Sequence, residues 1–270
     1  MIKAIVTGAA GRMGCSIIRA IHQTDGIEVV GAVEHEGHPL FGRDAGEVAG
    51  LSPIKVRIVY GLENILERAD VVIDFTTPQA TFSNLEKVSA AGKAAVIGTT
   101  GFTKEEEEKL KQLAANIPCI FSPNMSVGVN LIFKILHDMA KVLGDDYDVE
   151  IVEAHHRMKK DAPSGTAMKM AEILAGALGR DLAAVGRFSR HGIIGERDRK
   201  EIGVQSLRAG DIVGDHTVLF GGAGERIEIT HRAHSRDNFA RGAIRAAMWI
   251  VKQKPGVYDM MDVLGLKELH

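Results

Sequence analysis

The 270-residue sequence is 45% apolar, enough for one large domain or two modest ones with real cores. Its formal net charge of −2, with acids and bases mixed along the chain, excludes a general attraction for nucleic acid or anionic membrane, so any affinity for anions is local. Cys15 and Cys119 stand far apart in apolar neighbourhoods without metal-ligand spacing, and neither a charged leader nor an apolar run of membrane-spanning length is found, which predicts a cytoplasmic protein with reduced thiols.

Short β-branched apolar runs alternate with segments of helical period from the start. Ile2–Thr7, a helix over 13–22 and Ile27–Val33 form a βαβ unit, and further buried strands are expected at 71–75, Ala94–Ile97 and 117–121. Helices over 78–91 and 104–115 separate them. Thr77 before Pro78, and Thr103 with Glu106 three residues on, are helix-start signals. This alternation predicts an α/β fold, a Rossmann-like doubly wound parallel sheet. After Ser126 the pattern changes to a helix over 130–143, a strand over 147–153 and a helix over 166–178. Strands at Ile202–Arg208, 217–220 and 226–230 between glycine-rich turns follow, then a helix over 239–251. Residues 180–200, charged and glycine-rich without period, read as one long loop. The expected organisation is a dinucleotide-binding domain of residues 1–126 and 238–270, and a second α+β domain with a mixed sheet, 127–237, for substrate binding and oligomerisation.

Between the first strand and helix stands Gly8-Ala9-Ala10-Gly11-Arg12-Met13-Gly14, where glycines permit a tight turn and let backbone amides approach a pyrophosphate. The GxxGxxG spacing is weakly specific alone. Glu34 strengthens it, because an acid ending the second strand accepts hydrogen bonds from the adenosine ribose hydroxyls. Gly8 to Met13 are expected on the phosphates, and Gly14 in close packing of helix on strand. Glu34 favours NADH by repelling a ribose phosphate, while Arg12 and His35 offset that repulsion, so NADH, NADPH or both remain open.

The densest chemical signal is EAHHRMKKDAPSGTA, 153–167, with two imidazoles, a guanidinium and two ammonium groups between His155 and Lys160. His155 leaves a strand end and Lys159 follows in a turn, so both can converge on one ligand. Ser164 is a plausible N-cap, with the amides of Gly165 and Thr166 and the helix dipole facing a carboxylate. A basic run is more often a solvated face. No metal is expected: His155 and His156 point to different sides of an extended strand and no third ligand stands at suitable spacing. Ala162-Pro163-Ser164-Gly165 is not the strand-to-helix elbow of a serine hydrolase.

Taken together, VTGAAGRMG (6–14), VIDFTTP (72–78), VIGTTGF (96–102), SPNMSVGVN (122–130), the EAHHRMKKDAPSGTA string and the segment 208–243 resemble the dihydrodipicolinate reductase family over nearly the whole chain. The resemblance implies NADH- or NADPH-dependent reduction of a small cyclic dicarboxylate in lysine and diaminopimelate synthesis, by a homotetramer built through the second domain. By matching positions it implies His155 as proton donor or acceptor and Lys159 as proton donor, with His156, Gly165 and Thr166 on the substrate carboxylates. Gly8, Ala9, Ala10, Gly11, Arg12, Met13, Glu34, Gly98, Thr99, Thr100, Ser122, Pro123, Asn124 and Met125 would contact the cofactor. His35 stands where members using both cofactors often carry arginine.

Overall fold

In the computed structural model, which describes residues 1–267, the chain divides into two compact units, Met1–Val127 with the segment from Arg236, and Gly128–Ser235. The final three positions of the expected 238–270 segment lie outside the described residues.

The first unit holds a seven-stranded parallel sheet of order β12-β6-β5-β4-β1-β2-β3. Its strands are β1 (Ile2–Thr7), β2 (Ile27–Val33), β3 (Ile58–Val59), β4 (Val71–Asp74), β5 (Ala94–Ile97), β6 (Pro118–Phe121) and β12 (Gly256–Tyr258). Period-two alternation sends Ala4 and Val6 into one apolar cluster and Ile5 into another, so the sheet is buried on both faces and its strands read as continuous apolar runs. Helices α1 (Arg12–His22) and α8 (Asp237–Ile250) cover one face; α3 (Pro78–Ala90) and α4 (Lys104–Ala114) cover the other. Local signals start the helices. Thr77 Oγ accepts from the Ala80 amide with Pro78 in the first turn, and Thr103 with Glu106 forms a complete capping box. Short α2 (Ala45–Val48) and α9 (Met260–Leu264) complete the unit.

The second unit has a five-stranded mixed sheet of order β11-β10-β7-β9-β8: β7 (Asp148–His155), β8 (Gly186–Arg187), β9 (Ile202–Arg208), β10 (Gly214–Gly222) and β11 (Glu225–Ala233). β7 and β8 run parallel to β9, whereas β10 is antiparallel to both β7 and β11. One face packs against α5 (Val127–Leu143) and α6 (Gly165–Ala177) through Ile151, Val204, Val218 and Phe220. The opposite face carries exposed Val152 and Leu207.

Residues 188–200 are irregular, as the composition predicts, but 182–187 are not. Helix α7 (Leu182–Val185) opens on an Asp181 cap and β8 joins the sheet edge, both too short to show a period. The charges there are committed: Arg190 binds Glu150 and Glu201, and Arg197 binds Asp148 and Glu150. Cys119 is fully buried, whereas Cys15 is half-buried, packed against the apolar cluster under α1 with its Sγ near the Ala9 and Val48 carbonyls.

Candidate active site

In the first unit the parallel strands bring the expected cofactor residues to one carboxyl edge. Gly8 adopts φ +60, the left-handed region that glycine tolerates, and a Cβ on Gly14 would fall 2.1 Å from the Gly8 carbonyl oxygen, so α1 packs directly on the turn. The turn spends several of its own amides: Ala9 N–H donates to Val33 O, Gly11 N–H to Gly8 O, and Ala10 N–H to Glu34 Oε1 at 2.9 Å. The amides of Arg12 and Met13, in the first turn of α1, are those that helix geometry leaves for an anion. Glu34 therefore braces the glycine turn with one oxygen, a role its strand-end position does not disclose. A cleft of about 720 Å³ runs from this turn, lined by Gly8, Ala10, Gly11, Glu34, His35, His38, Tyr60, Thr76 and Asn84 among others.

Ala9 is fully buried and lines the core rather than the cleft. Gly98, Thr99 and Thr100 follow β5, and Ser122, Pro123, Asn124 and Met125 follow β6, strands that lie beyond β4 from the glycine turn. Ser122 Oγ donates to the Asn124 carbonyl and Asn124 Oδ1 accepts from the Ser126 amide, which folds that segment into a tight turn. It lies hard against α8, where a Cβ on Gly242 would fall 1.8 Å from the Met125 carbonyl oxygen.

Glu34, His35 and His38 each bring one ligand atom within 4.8 Å of the others, the spacing of a metal site. His38 does not suit one: its Nδ1 accepts from the Leu40 amide, which puts the ring proton on Nε2 and leaves no lone pair for an ion.

In the second unit β7, β9 and β10 put one row of polar side chains on the helix-covered face. The register pairs His231 with His216, His216 with Glu153, and Glu153 with Ser206. His155 and Arg208, two residues along their strands, fall on the same face. Glu153 is fully buried and binds everything around it. Its carboxylate accepts from His155 Nδ1 at 2.6 Å, from Arg208 through both terminal nitrogens at 2.8 Å, and from the Ser164 amide at 3.1 Å. Burial pushes this carboxyl up, but hydrogen bonds from Arg208, Ser206 and His155 outweigh it and hold the pKa at about 2. An ionised carboxylate only accepts, so His155 Nδ1 carries the proton and Nε2 is the nitrogen free to act.

Burial lowers the His155 pKa against the opposing pull of Glu153, and the Lys159 and Arg208 charges lower it further. Lys159, one-fifth exposed, pairs with Asp161 at 2.9 Å. Ser164 caps α6 through the Ala167 amide, while its Oγ lies 3.0 Å from Nε2 of buried His216, whose ring meets His155 edge-on at 5.2 Å. Burial, with the nearby His155, drives the His216 pKa down to about 4. Glu153 thus ties the catalytic-type imidazole to the helix start that presents Gly165 and Thr166. His156 sits half-buried after the strand end, its amide on the Ile212 carbonyl.

Glu153, Arg208 and His216 escape a reading by local motif. Glu153 has a usable signal, since residues two apart on a strand share a face, but Arg208 and His216 arrive only through sheet register.

A doubly wound parallel sheet with a glycine turn braced by a strand-end acid, carried with a separate sheet bearing a basic, helix-capped site, defines a dinucleotide-dependent oxidoreductase of two units. The family model described as "Dihydrodipicolinate reductase, N-terminus" matches residues 2–125, and that described as "Dihydrodipicolinate reductase, C-terminus" matches 128–264. The chain is 56% identical to the 4-hydroxy-tetrahydrodipicolinate reductase of Syntrophobacter fumaroxidans and 60% identical to that of Geotalea uraniireducens, each over 99% of this chain and 100% of the relative. It is also similar to a dipicolinate-bound dihydrodipicolinate reductase from Paenisporosarcina sp. TG-14, with a TM-score of 0.74 and 25% identity, covering 97% of this chain and 98% of that one. The chain belongs to the dihydrodipicolinate reductase family.

Proposed function

We propose that the chain carries out the NAD(P)H-dependent reduction of 4-hydroxy-tetrahydrodipicolinate to tetrahydrodipicolinate in lysine and diaminopimelate synthesis, using the Glu153–His155 pair and Lys159 for the proton chemistry. The observation that carries the reading is the cluster in which one buried carboxylate holds His155, Arg208 and the capped start of α6.

The glycine turn fits a dinucleotide: the space beside Gly14 is filled by backbone, the first amides of α1 face outward, and Glu34 stands at the head of the cleft. Gly8, Ala10, Gly11, Arg12 and Met13 would hold its phosphates and Glu34 Oε2 a ribose hydroxyl, with the residues after β5 and β6 on its other half. When bound, the cofactor supplies a hydride. Glu34 disfavours a ribose phosphate, and His35 in place of arginine gives no permanent compensating charge, which supports a preference for NADH.

The amides of Gly165 and Thr166, at the positive end of α6, hold one substrate carboxylate, and His156 supports the carboxylates from the strand end. Lys159, charged and one-fifth exposed, donates the proton that balances the electron pair arriving on the ring. His155 is neutral at neutral pH because burial depresses its pKa, so its Nε2 accepts a hydrogen bond or proton from the substrate, and Glu153 stabilises the imidazolium so formed. The substrate hydroxyl leaves as water, so one hydride and one proton complete the reduction.

The uncovered face of the mixed sheet, with exposed Val152 and Leu207 beside Thr217 and Thr230, supports assembly of a homotetramer through this unit. The biosynthetic reaction and two free thiols support a cytoplasmic location.

The test is steady-state oxidation of NADH and NADPH by the purified protein, with the ring substrate generated enzymatically from pyruvate and aspartate semialdehyde. Oxidation is expected only when both precursors and the condensing enzyme are present. Equal oxidation without them, or none with them, contradicts the reading.

A further inference from the structure

The loops that follow β4 and β5 meet on a carboxylate to which the chemistry above gives no role. Asp74, the last residue of β4, is 3% exposed. Its Oδ1 accepts from the Thr76 amide at 3.0 Å and the Thr76 hydroxyl at 2.6 Å, and its Oδ2 from Asn84 Nδ2 at 2.7 Å. Thr99 Oγ stands 3.2 Å from Oδ1 and 2.8 Å from Thr81 Oγ, and it also accepts from the Thr76 amide at 3.0 Å.

The protons of this cluster all converge on the carboxylate. Each hydroxyl has a single proton: Thr76 and Thr99 donate theirs to Asp74, and Thr81 Oγ, 3.1 Å from Oδ1 and 2.8 Å from Thr99 Oγ, donates to one of the two. Every donor is neutral, and no lysine or arginine pairs with Asp74 among the described residues. A carboxyl group buried among neutral donors alone is costly, and packing needs no polar group: valine in place of the threonines would fill the same space. What the carboxylate adds is direction, because only an acceptor of several hydrogen bonds fixes both loops and α3 at once.

The network joins the two halves of the expected nucleotide site. Thr76 and Asn84, after β4, line the cleft that begins at the glycine turn, whereas Thr99 lies between Gly98 and Thr100 after β5, one strand further from that turn. The same loops are pressed together next door, where a Cβ on Gly98 would fall 2.1 Å from the Phe75 ring. We propose that Asp74 is a positioning residue for the dinucleotide, locking the loop after β5 onto the loop after β4 so that the backbone of 98–100 is set before the cofactor arrives. The proposal rests on the reading that this backbone contacts the cofactor.

NADH affinity, measured by fluorescence titration of the full-length protein alongside thermal melts, tests it in Thr99→Val, Thr99→Ser and Asp74→Asn. Valine keeps the shape of Thr99 and removes only the oxygen; serine keeps the oxygen. Thr99→Val and Asp74→Asn are expected to weaken NADH binding about tenfold. Thr99→Ser is expected to stay within about twofold, with KM for the ring substrate unchanged in all three. Thr99→Val decides the matter if Asp74→Asn does not fold. NADH affinity unaltered in Thr99→Val, at temperatures where its melt shows it folded, overturns the proposal. Gly11→Val separates the two readings: NADH binding lost in Gly11→Val but unaltered in Thr99→Val leaves the cofactor site standing without Asp74, and no NADH binding by the native protein removes both.

Discussion

His155 donates its Nδ1 proton to Glu153 across 2.6 Å, and that carboxylate is also gripped by Arg208 and by the amide that opens α6. The pair does for the imidazole what a buried acid does in a hydrolase triad: it fixes the tautomer, aims Nε2, and stabilises positive charge when it forms.

Glu153→Gln therefore keeps the volume and loses the orienting charge. Turnover should fall about a hundredfold while the KM for NADH stays put, and the acid limb of the pH–rate profile should move, because an amide no longer supports an imidazolium. Steady-state kinetics across pH checks this. An unchanged profile would make Glu153 a packing residue only.

Lys159 has a different task. Lys159→Ala should lower kcat by about a hundredfold or more, with NADH affinity from fluorescence titration unaltered, since the ammonium belongs to the second unit and its partner is Asp161. A variant with near-native turnover would remove Lys159 from the proton chemistry.

His216 makes stability depend on pH. Its pKa is lowered from 6.5 to about 4 by burial, so below pH 6.5 the unfolded chain takes up a proton that the folded chain refuses. Stability is lost as pH falls from 6.5 towards 4 and the loss then levels off, at roughly 3 kcal/mol for this group. Denaturant unfolding of native protein and His216→Gln across this range should show a shallower slope for the variant. Parallel slopes would mean that His216 is charged or exposed in solution.

Gly14→Ala tests the turn. Its methyl would need the space of the Gly8 carbonyl, 2.1 Å away, and neither α1 nor the strand end can yield freely. The variant should lose about 1–3 kcal/mol of stability and most NADH binding, measured by melting and titration. Native-like binding would show that the turn adjusts.

Much of this was legible in the sequence because it is local. β1, β2, β5 and β9 follow apolar runs, α3 and α4 start at Thr77 and Thr103, and the glycine turn lies between the first strand and helix. Short elements escaped: α7 and β8 in the charged stretch, and β12 on the sheet edge, depend on tertiary pairing rather than period. β10 and β11 extend several residues beyond their apolar centres, since glycines and charges at their ends are carried by the ladder. In the site, His155, Lys159 and Ser164 show in one string, but Arg208, which grips Glu153, and His216, bonded to Ser164, come from distant strands. Glu34 is expected from the sequence on a ribose hydroxyl, and nothing in its position announces the bond that braces Ala10.

The most direct test of the account is transfer of deuterium from NADH labelled at the transferable position of its nicotinamide, followed by mass spectrometry of the ring product. Incorporation of a single deuterium by the native protein, strongly slowed in Lys159→Ala and Glu153→Gln, is the predicted result. NADH oxidised with no label in the ring, or labelling at native rate in both variants, would contradict it.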